Sequence, residues 1–171
     1  VEYKLEGIVQ TQIEGDYTFA SGLRAILRQD PDIIMVGEMR DKETTSTGIE
    51  ASLTGHLVFS TVHTNDTPSA YTRLLDLGVE EFLLNAALRS IIGQRLARRL
   101  CPKCAVPHPQ ASQLVHDLEL APLAARVGIT TPRLLEAHGC DSCGGTGYRG
   151  RVAVAEYLRC DAHIRALSKG P

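Results

Sequence analysis

Residues 28–41 read RQDPDIIMVGEMRD, and the reading of the fold turns on them. Pro31 and Asp32 introduce four apolar residues, Ile33 to Val36, and the run then stops on Gly37 and Glu38. A short, continuously apolar stretch of this kind suits a strand covered on both faces. Its end delivers one carboxylate to the crevice where α/β proteins bind ligands. There a carboxylate can orient and polarise a water that attacks a γ-phosphate. The plainer alternative is a salt bridge from Glu38 to Arg40 or another nearby arginine.

On the N-terminal side, YKLEGIVQTQIE (3–14) has the loose alternation of short strands or a hairpin. Asp16 to Thr18 can cap a helix over FASGLRAILRQ, which Pro31 ends. On the C-terminal side, DKETTSTGIEASLTG (41–55) predicts a helix stopped at Gly55, and LVFSTVH (57–63) a second buried strand. TNDTPSAYTRLLDLG predicts a helix capped by Thr64, Asn65 or Asp66. Apolar residues at 84, 88, 91, 92 and 96 give VEEFLLNAALRSIIGQRLARRL (79–100) helical spacing with a basic last turn. Strand–helix alternation predicts a parallel sheet flanked by helices. The pattern breaks at Cys101, and strand-like RVAVAEYL with a short helix returns after residue 147.

His63 ends the second strand and would stand beside Glu38 if the two strands are neighbours. It could donate a hydrogen bond to a terminal phosphate or to the attacking water, or simply to loop carbonyls. His56 precedes the strand and reads as structural. Arg24, Arg28 and Arg40 surround the first strand, and a guanidinium fork suits phosphate oxygens. Most of the 18 basic residues are arginine, however, so a solvated helix face is the ordinary reading of any one.

Cysteines fall at 101, 104, 140, 143 and 160. Cys101, Cys104, Cys140 and Cys143 form two Cys-x-x-Cys pairs, able to complete a tetrahedral, structural Zn²⁺ site. Redox dithiols or disulfides are the alternative. Neither pair is followed by His, which counts against c-type haem attachment. The long stretch between the pairs must fold an insert, with ASQLVHDLEL as its helix. CDSCGGTG also fits one copy of the repeat of a chaperone zinc domain, which needs several. Cys160 reads as a core or surface thiol.

A net charge of −2 gives no general pull toward nucleic acid or membrane. No apolar run approaches the roughly 20 residues that span a bilayer. Without a secretory leader, the cysteine pairs favour metal over disulfides and a cytosolic compartment. A chain opening VEYKLEG in mid-pattern reads as a piece of a longer protein. No Gly-x-x-x-x-Gly-Lys-Ser/Thr occurs, and the lysines are Lys4, Lys42, Lys103 and Lys169.

Together, LRQDPDIIMVGEMRD (27–41), LTGHLVFSTVHTND (53–66), QRLARRLCPKC (94–104) and CDSCGGTGYRGRVAVAEYL (140–158) resemble the secretion ATPase superfamily, namely type II secretion and type IV pilus assembly ATPases. The first stretch resembles that family's atypical Walker B strand, the second its His box, and the last two its tetracysteine module. VEYKLEGIVQTQI resembles the stretch just after its Asp box. The resemblance implies a RecA-like P-loop NTPase core, present in part, with a small zinc module. Residues 1–100 would be the C-terminal part of the ATPase domain, 101–147 the zinc module and 148–171 a closing strand and helix. It implies Glu38 as catalytic base, His63 contacting the γ-phosphate, and Arg24, Arg28 and Arg40 on phosphates, some in a neighbouring subunit.

The resemblance further implies ATP and Mg²⁺ as cofactors of the complete protein. It implies a homohexamer, cytoplasmic and peripheral on the inner membrane, docked on platform and docking proteins, with no nucleic acid partner. The tetracysteine module is typical of the secretion and pilus-assembly branches, and RVAVAEYL leans toward secretion. The phosphate loop would lie upstream, so this piece alone is expected not to hydrolyse ATP. The alternative from another class is a non-enzymatic, zinc-dependent interaction module.

Overall fold

The computed structural model describes residues 3–167; Val1, Glu2 and Lys169 lie outside the described residues. The chain divides into two compact units, residues 1–93 with 155–171, and residues 94–154.

In the first unit, Thr18 starts helix α1 (Phe19–Ile26) through a capping box, its hydroxyl accepting from the Ser21 N–H at 3.2 Å. A 3-10 turn over Leu27–Gln29 and a left-handed Asp30 end it before Pro31. Strand β1 (Ile33–Val36) then pairs in parallel with β2 (Leu57–Ser60), Ile33 opposite Leu57 and Val36 opposite Ser60. Between them runs α2 (Lys42–Leu53), whose N-terminus Asp41 caps by accepting from the Thr44 N–H at 2.8 Å. Gly55, at φ +111, lets the chain turn back toward β2.

Two helices follow. α3 (Thr67–Asp76) is capped by Asp66 and carries Pro68 in its first turn. α4 (Glu81–Ala87) buries Leu84 completely. Leu84 and Ala87 pack with Met39, Ile49, Leu74 and Val79, and a second cluster joins Leu23, Ile34, Val36 and Ala51. The buried threonines of α2 are satisfied locally. Thr45 and Thr47 donate their hydroxyls to the carbonyls of Asp41 and Glu43 at 2.7 and 2.9 Å.

Three expectations need correction. Residues 3–14 form no strand, and their apolar side chains Tyr3, Leu5, Ile8 and Val9 are exposed. Alternation alone does not make a strand without a partner to accept its hydrogen bonds. Neither strand is covered on both faces: in β1 Ile34 and Val36 are buried against α1 and α2 while Ile33 and Met35 are exposed, and in β2 Leu57 and Phe59 are exposed. Third, the helix expected over 79–100 ends at Ala87, and Ser90–Leu100 is strand β3. The chain turns extended at Leu88, φ −68 and ψ 125. Gly93 weakens a helix there by about 1 kcal/mol relative to Ala, and a distant strand supplies β3's hydrogen bonds.

The second unit contains the short antiparallel pair β4 (Val106–Pro107) and β5 (Leu135–Glu136). Helices α5 (Ala111–Asp117) and α6 (Leu120–Arg126) lie between them in sequence, so the insert is helical, with two short helices. Strand β6 (Tyr148–Arg159) pairs with β3. Cys101 donates to the Gly147 carbonyl at 2.9 Å and Cys160 to that of Arg89 at 3.0 Å, so β3 and β6 run in opposite directions. Cys160 is a buried core thiol, and burial pushes its pKa up. Asp161 then caps α7 (Ala162–Leu167), accepting from the N–H groups of His163 and Ile164 at 3.0 and 3.1 Å.

Candidate functional site

Glu38 lies two residues past β1, where one backbone bond and one threonine hydroxyl lace the ends of the two parallel strands together. Met39 donates its N–H to the Thr61 carbonyl at 3.1 Å, and the Thr61 hydroxyl donates to the Gly37 carbonyl at 2.6 Å. His63 belongs to the loop after β2 rather than to the strand itself. The lacing sets that loop beside Glu38.

The Glu38 side chain is mostly covered, at 17% exposure, while those of Arg40 and His63 are largely open to solvent. The Arg40 guanidinium Nε pairs with Glu38 Oε2, and His63 Nε2 approaches the same oxygen at 3.2 Å. For that contact to be a hydrogen bond, Nε2 must carry the proton, because an ionised carboxylate only accepts. Both partners hold Oε2. Among the described residues, none holds Oε1. The arrangement leaves one oriented carboxylate oxygen able to accept a proton.

The structure brings Glu38, His63 and Arg40 together. It does not bring the other two arginines to them. Arg24 pairs with Glu43 at 2.8 Å, and Arg28 stands exposed in the 3-10 turn. His56 closes the end of α2, its Nδ1 donating to the Ala51 carbonyl at 2.9 Å.

Thr61, which ties the two strand ends, and Glu156, which meets Thr67 at the start of α3, were not singled out in the sequence. Glu156, in β6, accepts from the Thr67 N–H at 3.1 Å and from its hydroxyl at 2.8 Å. One acidic residue inside the apolar run RVAVAEYL is the signal that could have found it. Thr61 carries no such signal.

In the second unit the four paired cysteines converge. Their sulfurs all lie within 4.8 Å of one another. Cys101–Cys140, Cys104–Cys143 and Cys140–Cys143 are 4.0, 3.9 and 3.8 Å apart. A disulfide needs about 2.05 Å between sulfurs. A tetrahedron with Zn–S bonds of about 2.3 Å has edges of about 3.8 Å, so the donor set and its spacing fit a four-thiolate metal centre. The Cys140 and Gly147 N–H groups both point at the Cys143 sulfur, each at 3.2 Å. Burial opposes ionisation of Cys143, yet these two donors and the neighbouring thiols bring its pKa down to about 6. Burial pushes Cys104 up to about 12.

The sequence matches the model of the family described as type II/IV secretion system protein over residues 1–170. The chain belongs to this family. A relative in the family, type II secretion system protein E of Klebsiella pneumoniae, is 50% identical over 173 residues, spanning 99% of this chain and 33% of that protein. The type IV pilus assembly ATPase PilB of Thermus thermophilus is 50% identical over 167 residues, spanning 96% of this chain and 18% of that protein. The chain thus spans about a third or less of the curated relatives it matches. Among solved structures, the pilus retraction motor PilT with bound ADP aligns at 31% identity and TM-score 0.55, over 90% of this chain and 33% of that one. The Legionella pneumophila ATPase DotB aligns at 27% identity and TM-score 0.55, over 90% of this chain and 31% of that one. These solved ATPases have an α/β NTPase-like fold, and this chain matches about a third of each. Among the described residues, no helix is long and apolar enough to cross a membrane.

Proposed function

We propose that this chain is part of a RecA-like motor ATPase that hydrolyses ATP to drive pseudopilus assembly in type II secretion, with Glu38 as its catalytic base. The observation that carries this reading is the Glu38 carboxylate just past the end of β1, held through Oε2 by Arg40 and His63, with none of the described residues on Oε1. In the hydrolytic step, Glu38 takes a proton from water as the water oxygen bonds to the γ-phosphorus. The bond from that phosphorus to the β,γ-bridging oxygen breaks, and ADP leaves with the bond's electron pair. With nucleotide bound, the His63 Nε2–H would turn from Glu38 Oε2 to the γ-phosphate or to the attacking water.

Arg24, Arg28 and Arg40 are assigned to phosphate contacts, some of them in a neighbouring subunit; Arg24 would have to leave Glu43 and Arg40 would have to leave Glu38 to make them. The sequence has no Gly-x-x-x-x-Gly-Lys-Ser/Thr. The phosphate grip and the hydroxyl that binds Mg²⁺ are therefore assigned to the part of the protein that its relatives have and this chain does not. By itself this chain is expected to be inactive. Mg²⁺ would enter with ATP and neutralise phosphate charge.

Cys101, Cys104, Cys140 and Cys143 would hold a structural Zn²⁺. We assign to the complete protein a cytoplasmic hexamer docked on inner-membrane components, with no nucleic acid partner expected, and to this chain a domain division at residues 1–100, 101–147 and 148–171. The Thermus pilus ATPase is as similar as the Klebsiella relative, so type IV pilus assembly is the second reading. Turnover by the N-terminally extended protein beside its Glu38→Gln variant tests the proposal. Loss in the variant supports it, and equal turnover by both overturns the assignment of the base.

A further inference from the structure

We propose that Glu156 is a positioning residue for His63, acting through the first residue of α3; this rests on the ATPase reading of Glu38 and His63. His63 lies on the stretch between residue 61, tied by its hydroxyl and carbonyl to Gly37 and Met39 just past β1, and residue 67, where α3 begins. The first tie holds one side of the loop. On the other, Glu156 adds a tie to the helix start, beside the burial of Thr67, Ala70 and Leu74. Its two carboxylate oxygens take the N–H and the hydroxyl of Thr67, across 89 residues of sequence.

The helix start does not need this second carboxylate for its own cap. Asp66 already accepts from the Ser69 N–H at 2.7 Å, the usual N-cap bond. Glu156 satisfies another unpaired N–H of the first turn, and its charge sits favourably at the positive end of α3. Thr67 is buried, so its hydroxyl has no water to fall back on if Glu156 is removed. The packing is built around this contact. A Cβ on Gly93 would lie 3.3 Å from Glu156 Oε2 and 3.3 Å from Thr67 Cγ2. β3 thus carries no side chain where β6 reaches α3.

The loop Val62 to Asp66 thus runs between two anchored residues, 61 and 67. Thr64 tightens it further, donating its hydroxyl to the Asp66 carbonyl at 3.2 Å. Largely exposed as it is, His63 owes its place at Glu38 to this loop more than to its own packing. Releasing the 67 side lets His63 drift. A misplacement of about 1 Å near reacting atoms can cost up to about a hundredfold in rate.

The test is steady-state ATP hydrolysis by the N-terminally extended protein, with melting temperature recorded for every variant. Glu156→Gln can accept through only one side-chain oxygen, so kcat should fall about ten- to a hundredfold with KM for ATP within about twofold. Adding His63→Ala to Glu156→Gln should lower kcat little further, because the histidine has already lost its place. Thr67→Ser keeps both donors and should retain kcat, whereas Thr67→Val loses the hydroxyl and should follow Glu156→Gln. If Glu156→Gln does not fold, the serine–valine pair decides. Additive effects of Glu156→Gln and His63→Ala would overturn the proposal. So would an unchanged kcat in both Glu156→Gln and Thr67→Val, or a His63→Ala variant with full turnover. Full turnover in Glu38→Gln would sink the base assignment alone, leaving the Glu156–His63 coupling to be read separately.

Discussion

His63 Nε2 lies 3.2 Å from Glu38 Oε2, although 25 residues separate them in sequence. The contact exists because β1 and β2 are parallel neighbours in register, so both chains leave the sheet at the same edge. Arg40 meets the same oxygen.

Glu38→Gln keeps the shape and removes the proton acceptor. In the N-terminally extended protein, ATP turnover should drop at least about a hundredfold, the lower range for a general base. Nucleotide affinity should change by less than about threefold, because a missing base alters the transition state more than the bound ground state. Turnover and fluorescent-nucleotide titration would be measured together.

The four converging sulfurs should carry one Zn²⁺ per chain, measured by elemental analysis of the purified protein. Replacing any one cysteine by serine should leave less than half of that zinc bound and lower the melting temperature. Stripping the metal with a strong chelator should do the same to the unaltered chain. Full zinc content in Cys140→Ser would contradict the site.

Two glycines beside the cysteines should respond differently to alanine. Gly144 (φ +60) and Gly147 (φ +73) are both left-handed, which costs a non-glycine residue about 1–2 kcal/mol. A Cβ at Gly144 meets open space, but one at Gly147 would lie 2.6 Å from Ala137 Cβ. Gly147→Ala should therefore be clearly the more destabilising, and should lower zinc retention. Equal melting temperatures would contradict this packing.

Leu84 is wholly buried within the cluster of α2, α3 and α4. Leu84→Ala should cost about 2–5 kcal/mol in denaturant unfolding. A change within about 0.5 kcal/mol, the usual range for surface sites, would show that the cluster is not a core.

The cap of α7 should depend on pH. The Ile164 N–H first, then that of His163, lowers the pKa of Asp161 from its ordinary 3.8. A depressed carboxylate contributes stability that is fully present above its unfolded value and is lost as pH falls through the folded one. Amide exchange at Ile164 should therefore accelerate on acidification below about pH 3.8, beyond the intrinsic pH dependence of exchange. In Asp161→Asn that extra acceleration should disappear, since the amide oxygen accepts without titrating.

Local pattern was enough to locate β1, β2, α2 and α3. Each is written in adjacent residues: an apolar run ended by Gly-Glu, an Asp cap, a proline in a first turn. The two cysteine pairs were equally legible, since thiol type and spacing are local facts. Helical periodicity failed over residues 90–100 because β3 exists only through its pairing with β6, a strand reached after the whole cysteine unit. A single chain segment contains no record of its partner.

The candidate site divides along the same line. Residue chemistry alone nominated Glu38, His63, three arginines and four cysteines. Tertiary structure decided which of them meet: Arg40 reaches Glu38, while Arg24 is committed to Glu43. It also supplied Thr61 and Glu156, whose hydrogen bonds cross 24 and 89 residues. Sequence fixes what each side chain can donate, accept or ligate. Only packing fixes the distances, and hydrogen bonds and metal coordination act over a few ångströms.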